Sequence, residues 1–333
     1  RLQGDWSSDV CSSDLGKVTD FESPSKLRAY LIEVIQQFRN EQDKGKVIPF
    51  EESALSKKHN VISLAPGLLG GKGRGLAFIN TLIYNYDFSK YVPDINIHSP
   101  RTSVIGTDEF EYFIENNRIN EKITDIDDYE EIRRIFISGE LTNTLKRRLW
   151  ILVEQITKPI AVRSSGLFED SLAQPYAGIF ETYLLPNNHP DTNKRFSQLM
   201  DAIKLVYASV YSPEARGYIE AIHYKLDEEK MAIVIQEVVG HQYDDVFYPH
   251  ISGLAQSYNY YPFSHMKPEE GFAVAALGLG KYVVDGGSAY RFSPIYPNVE
   301  ISTAEDLYKN SQVRFLAVDL AKNDVNLLEG EMA

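Results

Sequence analysis

From residue 21 onward, apolar positions follow two spacings, three to four residues apart in long stretches and contiguous in short ones. Phe21–Lys44 predicts an amphipathic helix. Leu27, Tyr30, Leu31, Val34 and Phe38 fall on one face, Ser23 is placed to cap it, and Pro24 suits its first turn. The polar stretch Asn40–Lys46 ends it. Val61–Leu64 is a short strand-like run, and a second helical pattern leaves the glycines at 70–75 with Leu76, Ile79, Leu82 and Ile83 on one face. Two more helices are predicted over Asp125–Ile137, with Thr124 as N-cap, and Thr142–Ile156, with Gly139 between them at a helix-stop position. Pro159 forces its approach to be extended, so Ile160–Val162 reads as a strand. Phe196–Val210 is helical, with Leu199, Met200, Ile203, Val206 and Tyr207 in phase. Met231–Val239 is a strong β-type run, and Phe272–Leu277 is another strand before a glycine-rich turn. Helices mixed with buried strands, and no internal repeat, predict an α+β (mixed α/β) fold.

With 333 residues the chain can bury a sizeable core in two subdomains. The net charge of −13 argues against a nucleic-acid surface, which needs a basic face, but not against a nucleotide pocket, which needs only local cations. No apolar run approaches the roughly 18 residues of a membrane span, so a soluble protein is expected, without membrane contact. A single cysteine, Cys11, rules out a disulfide framework and fits a cytoplasmic location. That cysteine lies in an anomalous leader. Trp6–Leu15, WSSDVCSSDL, is one reading frame of a common sequencing-adapter stretch, so residues 1–15 are expected to be an artefact. The protein is then expected to be a fragment, extending upstream of Gly16 and cut at its C-terminal end.

Several residue types suggest chemistry that their spacing does not support. The seven histidines show no H-x-H or H-E-x-x-H spacing for zinc, and no G-x-S-x-G elbow marks a hydrolase. Tyrosines crowd Tyr258–Tyr261, where packing or an interface explains them better than base stacking at this net charge. The acidic run Asp125–Glu131 reads as a helix N-terminus favoured by its dipole.

Two segments carry more. Gly70-Gly71-Lys72-Gly73, between a strand and a helix, has the makings of a phosphate loop: glycines let backbone N–H groups approach an anion, and Lys72 adds a mobile charge. It is neither a Walker A loop nor a G-x-G-x-x-G fingerprint, and a plain turn is the other reading. Ile160–Glu181 places Arg163, Ser164 and Ser165 at a strand end, with Glu169 and Asp170 following. The arginine there can hold phosphate oxygens and the serines can donate, or Arg163 can form a surface ion pair of little consequence.

The second segment resembles the V-A-V-R-S-S-A-x-x-E-D…F-A-G-x-x-E-T-x-L signature of the phosphoenolpyruvate synthase and pyruvate phosphate dikinase nucleotide domain. Val162, Arg163, Ser164, Ser165, Glu169, Asp170, Ala177, Gly178, Glu181, Thr182 and Leu184 match it. Gly70 to Gly73 with Leu76 resemble its G-G-K-G-x-x-L, Ala208 to Ala215 its W-A-S-L helix, Met231–Val239 its M-A-V-V-V-Q-x-M-V strand, and Gly278–Gly286 its G-L-G-E-x-V-V-S-G turn. The resemblance implies an ATP-grasp-like fold of two subdomains with the nucleotide between them, here at 59–190 and 191–333, joined to a helical connector at 16–58. It implies ATP with Mg²⁺, and phosphates held by Gly70, Gly71, Lys72, Gly73, Arg163, Ser164 and Ser165, with Glu169 and Asp170 beside them. Gln236, Glu237 and Val239 belong to the hinge by the adenine. Lys72 and Arg163 are the catalytic candidates; the metal ligands stay unassigned. It further implies a phosphoryl group passed to a histidine on a separate swivelling domain, and thence to pyruvate. This chain contains no stretch resembling that domain's G-G-x-T-S-H-A-A motif, nor a barrel-domain signature.

The chain departs from the pattern at three positions in two motifs. Val274 stands where E-A-x-W-G-L-G-E has its first glutamate, and Lys281 where it has its second. Tyr258 takes the arginine position of S-G-V-x-F-T-R-(D/N)-P. Glu269, Glu270 or Asp285 for the metal, and Arg291 for the cation, are the candidate substitutes. Two expectations therefore stand: the ATP-using half of a kinase-type phosphotransferase, and a nucleotide-binding or sensing module degenerate in catalysis.

Overall fold

The computed structural model describes residues 21–56, 60–167, 178–222, 229–262, 266–284, 286, 288–297, 303, 305, 308–309 and 311–329. Its centre is a six-stranded mixed sheet of β1 (Val47–Pro49), β2 (Val61–Ala65), β3 (Thr102–Ile105), β4 (Ile160–Gly166), β5 (Thr182–Leu185) and β6 (Met231–Glu237), in the order β1-β2-β3-β6-β4-β5. β1, β2 and β3 are parallel; β6 runs antiparallel to both β3 and β4. Hence β2, β3 and β4 point the same way and their carboxyl ends meet at one edge, where open α/β sheets receive ligands. β6 comes from beyond residue 190, so this sheet spans the boundary expected at 190/191.

Alternation along these strands divides the sheet into two faces. Ile62, Leu64, Ile105, Val162, Ile233 and Ile235 enter the main core. They pack with α3 (Thr107–Asn116), α5 (Tyr129–Ser138), α6 (Asn143–Gln155) and α7 (Thr192–Ala208). Phe110, Phe113 and Phe136 gather there around Tyr207, with ring centroids of 5.1 Å for Phe110–Tyr207 and 5.6 Å for Phe113–Tyr207. The other face carries Val61, Val104 and Val234, which pack against Leu69 and Leu76 at the start of α2 (Gly70–Asn85). The fold is thus mixed α/β with a mixed central sheet, in keeping with the ATP-grasp-like fold that the sequence resemblance implies.

Several predicted elements differ in extent. The helix predicted from Asp125 starts at Tyr129, capped by Asp128 and not Thr124; Thr124 instead ends the short α4 (Ile119–Ile123), its hydroxyl donating to the Asn120 carbonyl. β4 continues through Arg163, Ser164 and Ser165 instead of stopping before them, because all three pair with β6. Helix α1 (Pro24–Asp43) is capped by Ser23 as expected, but Leu31 and Phe38 of its apolar face are exposed. In α2 the buried residues are Gly70, Gly71, Gly73 and Asn80, and of the predicted stripe Leu76 packs against the sheet while Ile79 and Leu82 face outward: the helix docks through its glycines and the start of its stripe.

Beyond β6 lie two small antiparallel sheets. One joins β7 (His241–Tyr243), β8 (Val246–Tyr248) and β12 (Val318–Asp319); the other joins β9 (Ile251–Gln256), β10 (Phe272–Leu277) and β11 (Tyr290–Phe292). The remaining helices are α8 (Pro213–Ala221) and α9 (Lys281–Val284). Among the described residues no helix is long and apolar enough to cross a membrane.

Candidate functional site

The loop from Pro66 to Leu69 and the first turn of α2 are held from two sides. Gly70 has φ +67°, and a Cβ there would stand 1.9 Å from the Ser165 carbonyl oxygen, so only glycine permits this approach to β4. The Ser165 hydroxyl donates to the Leu69 carbonyl at 2.7 Å and accepts from the Gly73 N–H at 3.0 Å, which satisfies one donor of the helix N-terminus. The Lys72 ammonium reaches the Ser164 carbonyl at 3.2 Å and the Ser164 hydroxyl at 3.3 Å. Residues from positions 70–73 and 164–165, separated by some ninety positions in sequence, are therefore one constellation. From the other side, the turn after β3 abuts Pro66 and Gly67: a Cβ on Gly106 would lie 2.1 Å from the Pro66 carbonyl oxygen.

Arg163 stands one strand position short of the serines. By register Thr102, Gln236 and Ala161 lie side by side on neighbouring strands, which puts Arg163 diagonal to Gln236 on the same face. The guanidinium donates to the Gln236 side-chain oxygen at 3.2 Å, and the Gln236 amide donates to the Thr102 hydroxyl at 3.0 Å. Thr102 in turn donates to the Pro100 carbonyl at 2.9 Å. With Gln236 and Thr102 buried, this chain fixes the arginine head at the edge of the core. Arg163 thus has a glutamine partner in place of the surface carboxylate considered above. The next hinge residue, Glu237, pairs with Arg101 at 3.6 Å, and Val239 is exposed. The structure therefore joins Gly70, Gly71, Lys72, Gly73, Ser164 and Ser165 in one group, and Arg163 with Gln236 in an adjoining one. Glu169, Asp170 and Asp285 lie outside the described residues.

The signature residue Glu181 has a tying role: its carboxylate accepts from the Tyr129 hydroxyl at 3.0 Å and from Tyr183. Burial, the first cause, and the neighbouring carboxylate push both phenols far above their ordinary range, so they remain donors.

In the β9-β10-β11 sheet, Val274 pairs with Leu254 on one side and Arg291 on the other. The Arg291 guanidinium lies 3.9 Å from the centre of the Phe272 ring and donates to the Asn259 side chain at 2.9 Å, next to Tyr258. Glu270 accepts from the Lys267 N–H at 2.9 Å and from the Tyr296 hydroxyl at 3.3 Å, bonds that hold a turn together. Among the described residues no three His, Cys, Asp or Glu side chains converge as a metal site. These residues alone do not form a Mg²⁺ cage. Two cavities of about 310 Å³ flank α3, one lined by Pro66, Glu109 and Arg148 and the other by Glu111 and Lys230. Neither includes Lys72 or Arg163.

Sequence reasoning missed the turn after β3 altogether, and with it Thr102, Gly106, Thr107 and Glu109. The available signal was Val104-Ile105 followed by glycine, a short apolar run ended by a breaker.

Known proteins bear on this constellation. The family model described as pyruvate phosphate dikinase, AMP/ATP-binding domain, matches residues 66–326, which runs from the loop before α2 to the turn that follows β12. The chain is also 27% identical over 190 residues to the uncharacterized phosphotransferase YvkC of Bacillus subtilis (strain 168), a match covering 56% of this chain and 20% of that protein. The chain thus spans about a fifth of the length of that relative.

Proposed function

Because the chain belongs to the pyruvate phosphate dikinase AMP/ATP-binding domain family, we propose that it binds ATP with the phosphates at the Gly70–Gly73 turn and transfers a phosphoryl group to a histidine on another domain. The observation that carries this reading is the meeting of the α2 N-terminus, Lys72, Ser164 and Ser165 at the carboxyl ends of β2, β3 and β4. A helix N-terminus whose first residues are glycine favours an anion by dipole and by free backbone approach. Lys72, now resting on Ser164, has a short swing to a phosphate oxygen, and Arg163, braced by Gln236, supplies a planar donor pair. In phosphoryl transfer the protein's contribution is placement and charge neutralisation, which is what these groups can give. Mg²⁺ would come with the nucleotide, where it would neutralise charge on the phosphates; among the described residues no three carboxylates or other ligands gather to hold it. Pyruvate enters only through domains outside these residues, and the cytoplasm is the expected compartment.

A second reading, a nucleotide-binding module degenerate in catalysis, is favoured by Val274 and Tyr258 at positions where the family pattern has glutamate and arginine. The two separate on one experiment. The chain is mixed with a histidine carrier domain of this family and ATP labelled in its transferable phosphates. Acid-labile, base-stable label on the carrier that disappears with Lys72→Ala supports transfer. An unlabelled carrier in the presence of demonstrated ATP binding supports the second reading.

A further inference from the structure

We infer that Thr107 is a positioning residue for the phosphate-binding turn, setting its height above the sheet through a reciprocal pair of hydrogen bonds to the loop that leads into it; this rests on the reading of Gly70–Gly73 as the phosphate site. Thr107 is the first residue of α3 and is only 2% exposed. Its hydroxyl accepts from the Leu68 N–H at 3.0 Å, and its own N–H donates to the Leu68 carbonyl at 3.0 Å. One residue of the loop is thereby held by both of its backbone groups. Just before it, the Gly106 N–H donates to the Ala65 carbonyl at 3.1 Å, so the clamp continues the β2–β3 pairing past the end of the strands. The fit is close enough to exclude other side chains. Gly67 has φ +109°, and a Cβ there would lie 2.5 Å from the Asp108 N and 2.7 Å from the Thr107 N.

Thr107 and Ser165 grip the same short segment from opposite sides. Ser165 holds Leu69 and Gly73, and Thr107 holds Leu68. Leu68 itself is 57% exposed, so no packing of its side chain substitutes for the backbone bonds. A loop fixed at Leu68 and Leu69 has little freedom left by Gly70, where the backbone must deliver its N–H groups to an anion. Loss of the hydroxyl removes the acceptor for one part-buried donor and lets the loop relax, while the Thr107 N–H bond to Leu68 remains. The effect should fall on phosphate recognition and spare the base.

The test uses the full chain and measures dissociation constants for Mg·ATP and for adenosine, which lacks phosphates. Thr107→Val keeps shape and removes the acceptor. It should weaken Mg·ATP about tenfold, the effect of one hydrogen bond to a positioned group, and leave adenosine within about twofold. Thr107→Ser should restore Mg·ATP to within about twofold of wild type. A merely structural role would lower the melting temperature and weaken both ligands alike, overturning the inference. So would unchanged Mg·ATP affinity in Thr107→Val while Lys72→Ala binds less well, a result that leaves the phosphate site itself standing. No Mg·ATP binding by wild type overturns site and clamp together. Should Thr107→Val not fold, amide exchange in wild type reads the bond directly: a protected Leu68 N–H upholds the clamp and a freely exchanging one overturns it.

Discussion

At Gly70 the constraint is one of bare geometry. With φ +67° and a Cβ position inside contact distance of Ser165, Gly70→Ala must displace either the turn or the strand. The variant is expected to lose about 1–3 kcal/mol in urea unfolding and its nucleotide affinity with it. An unchanged unfolding midpoint would show that the turn is held differently. Gln236→Ala should leave the fold intact and weaken ATP by loosening Arg163, to be read as a smaller additional effect of Arg163→Ala in the double variant. Glu109 offers a pH-dependent case. Burial raises its pKa above the ordinary carboxylate range, against the opposing hydrogen bonds from Thr142 and the charge of Arg148. An acid whose folded pKa is raised contributes most when protonated, so its contribution falls as pH rises from the unfolded value of about 4.3 through the raised folded one. Glu109→Gln should therefore gain in urea midpoint relative to wild type as pH goes from about 4.3 towards neutrality. A difference that is flat, or that runs the other way, would mean the buried carboxylate is not the group responsible. Among these residues the glycines and Lys72 stood out in the sequence as a cluster between a strand and a helix, although a plain turn reads the same way. Glu109 was not: its partner Thr142 lies 33 positions away, and nothing local marks an acidic residue in a helix's first turn as buried.

At the scale of elements, α3 and α6 meet through that same pair. Thr142 caps α6 by accepting from the Leu145 N–H at 3.1 Å, while its own N–H and hydroxyl both donate to Glu109. Thr142→Ala should cost more than the ~1 kcal/mol of an ordinary N-cap, because it also strips a buried carboxylate of a donor. A loss below that figure in chemical denaturation would argue that water takes the hydroxyl's place. Deeper in the core, Phe113 is fully buried among Phe110, Phe136 and Tyr207, and Phe113→Ala should lose about 3–5 kcal/mol. Strand and helix positions were readable wherever period and breakers agreed, as for β2, β6, α6 and β10. The extent of β4 was not, since Arg-Ser-Ser looks like a loop and is a strand only because β6 pairs with it. The face of α2 was read only in part for a related reason: Leu76 packs as its period suggests, but periodicity does not say that the glycines, by permitting closer approach, share the packing while Ile79 and Leu82 turn outward.

Over the whole molecule, an acidic chain concentrates a few cations where three strands end. A net charge of −13 acts against anions at long range, and the proposed site would counter it locally with Lys72, Arg163 and the N-terminus of α2. Weak screening by salt at so short a range means that ATP affinity should change little between about 0.05 and 0.2 M salt, unlike that of a polyanion binder. The fold class and the family's motifs were visible from sequence because they occupy contiguous segments. The clamp at Thr107 and the Thr102–Gln236–Arg163 chain were not, because each joins strands whose pairing the sequence does not state. The proposed function stands or falls with Gly70–Gly73, Ser164, Ser165 and Arg163 as an ATP phosphate site. Calorimetric titration of the chain with Mg·ATP, with Lys72→Ala and Arg163→Ala in parallel, tests it most directly. Binding is expected in the micromolar range, about −8 kcal/mol, weakened about tenfold or more in each variant with unchanged melting temperatures. A folded wild type that takes up no ATP, or variants that bind as tightly as it does, would contradict it.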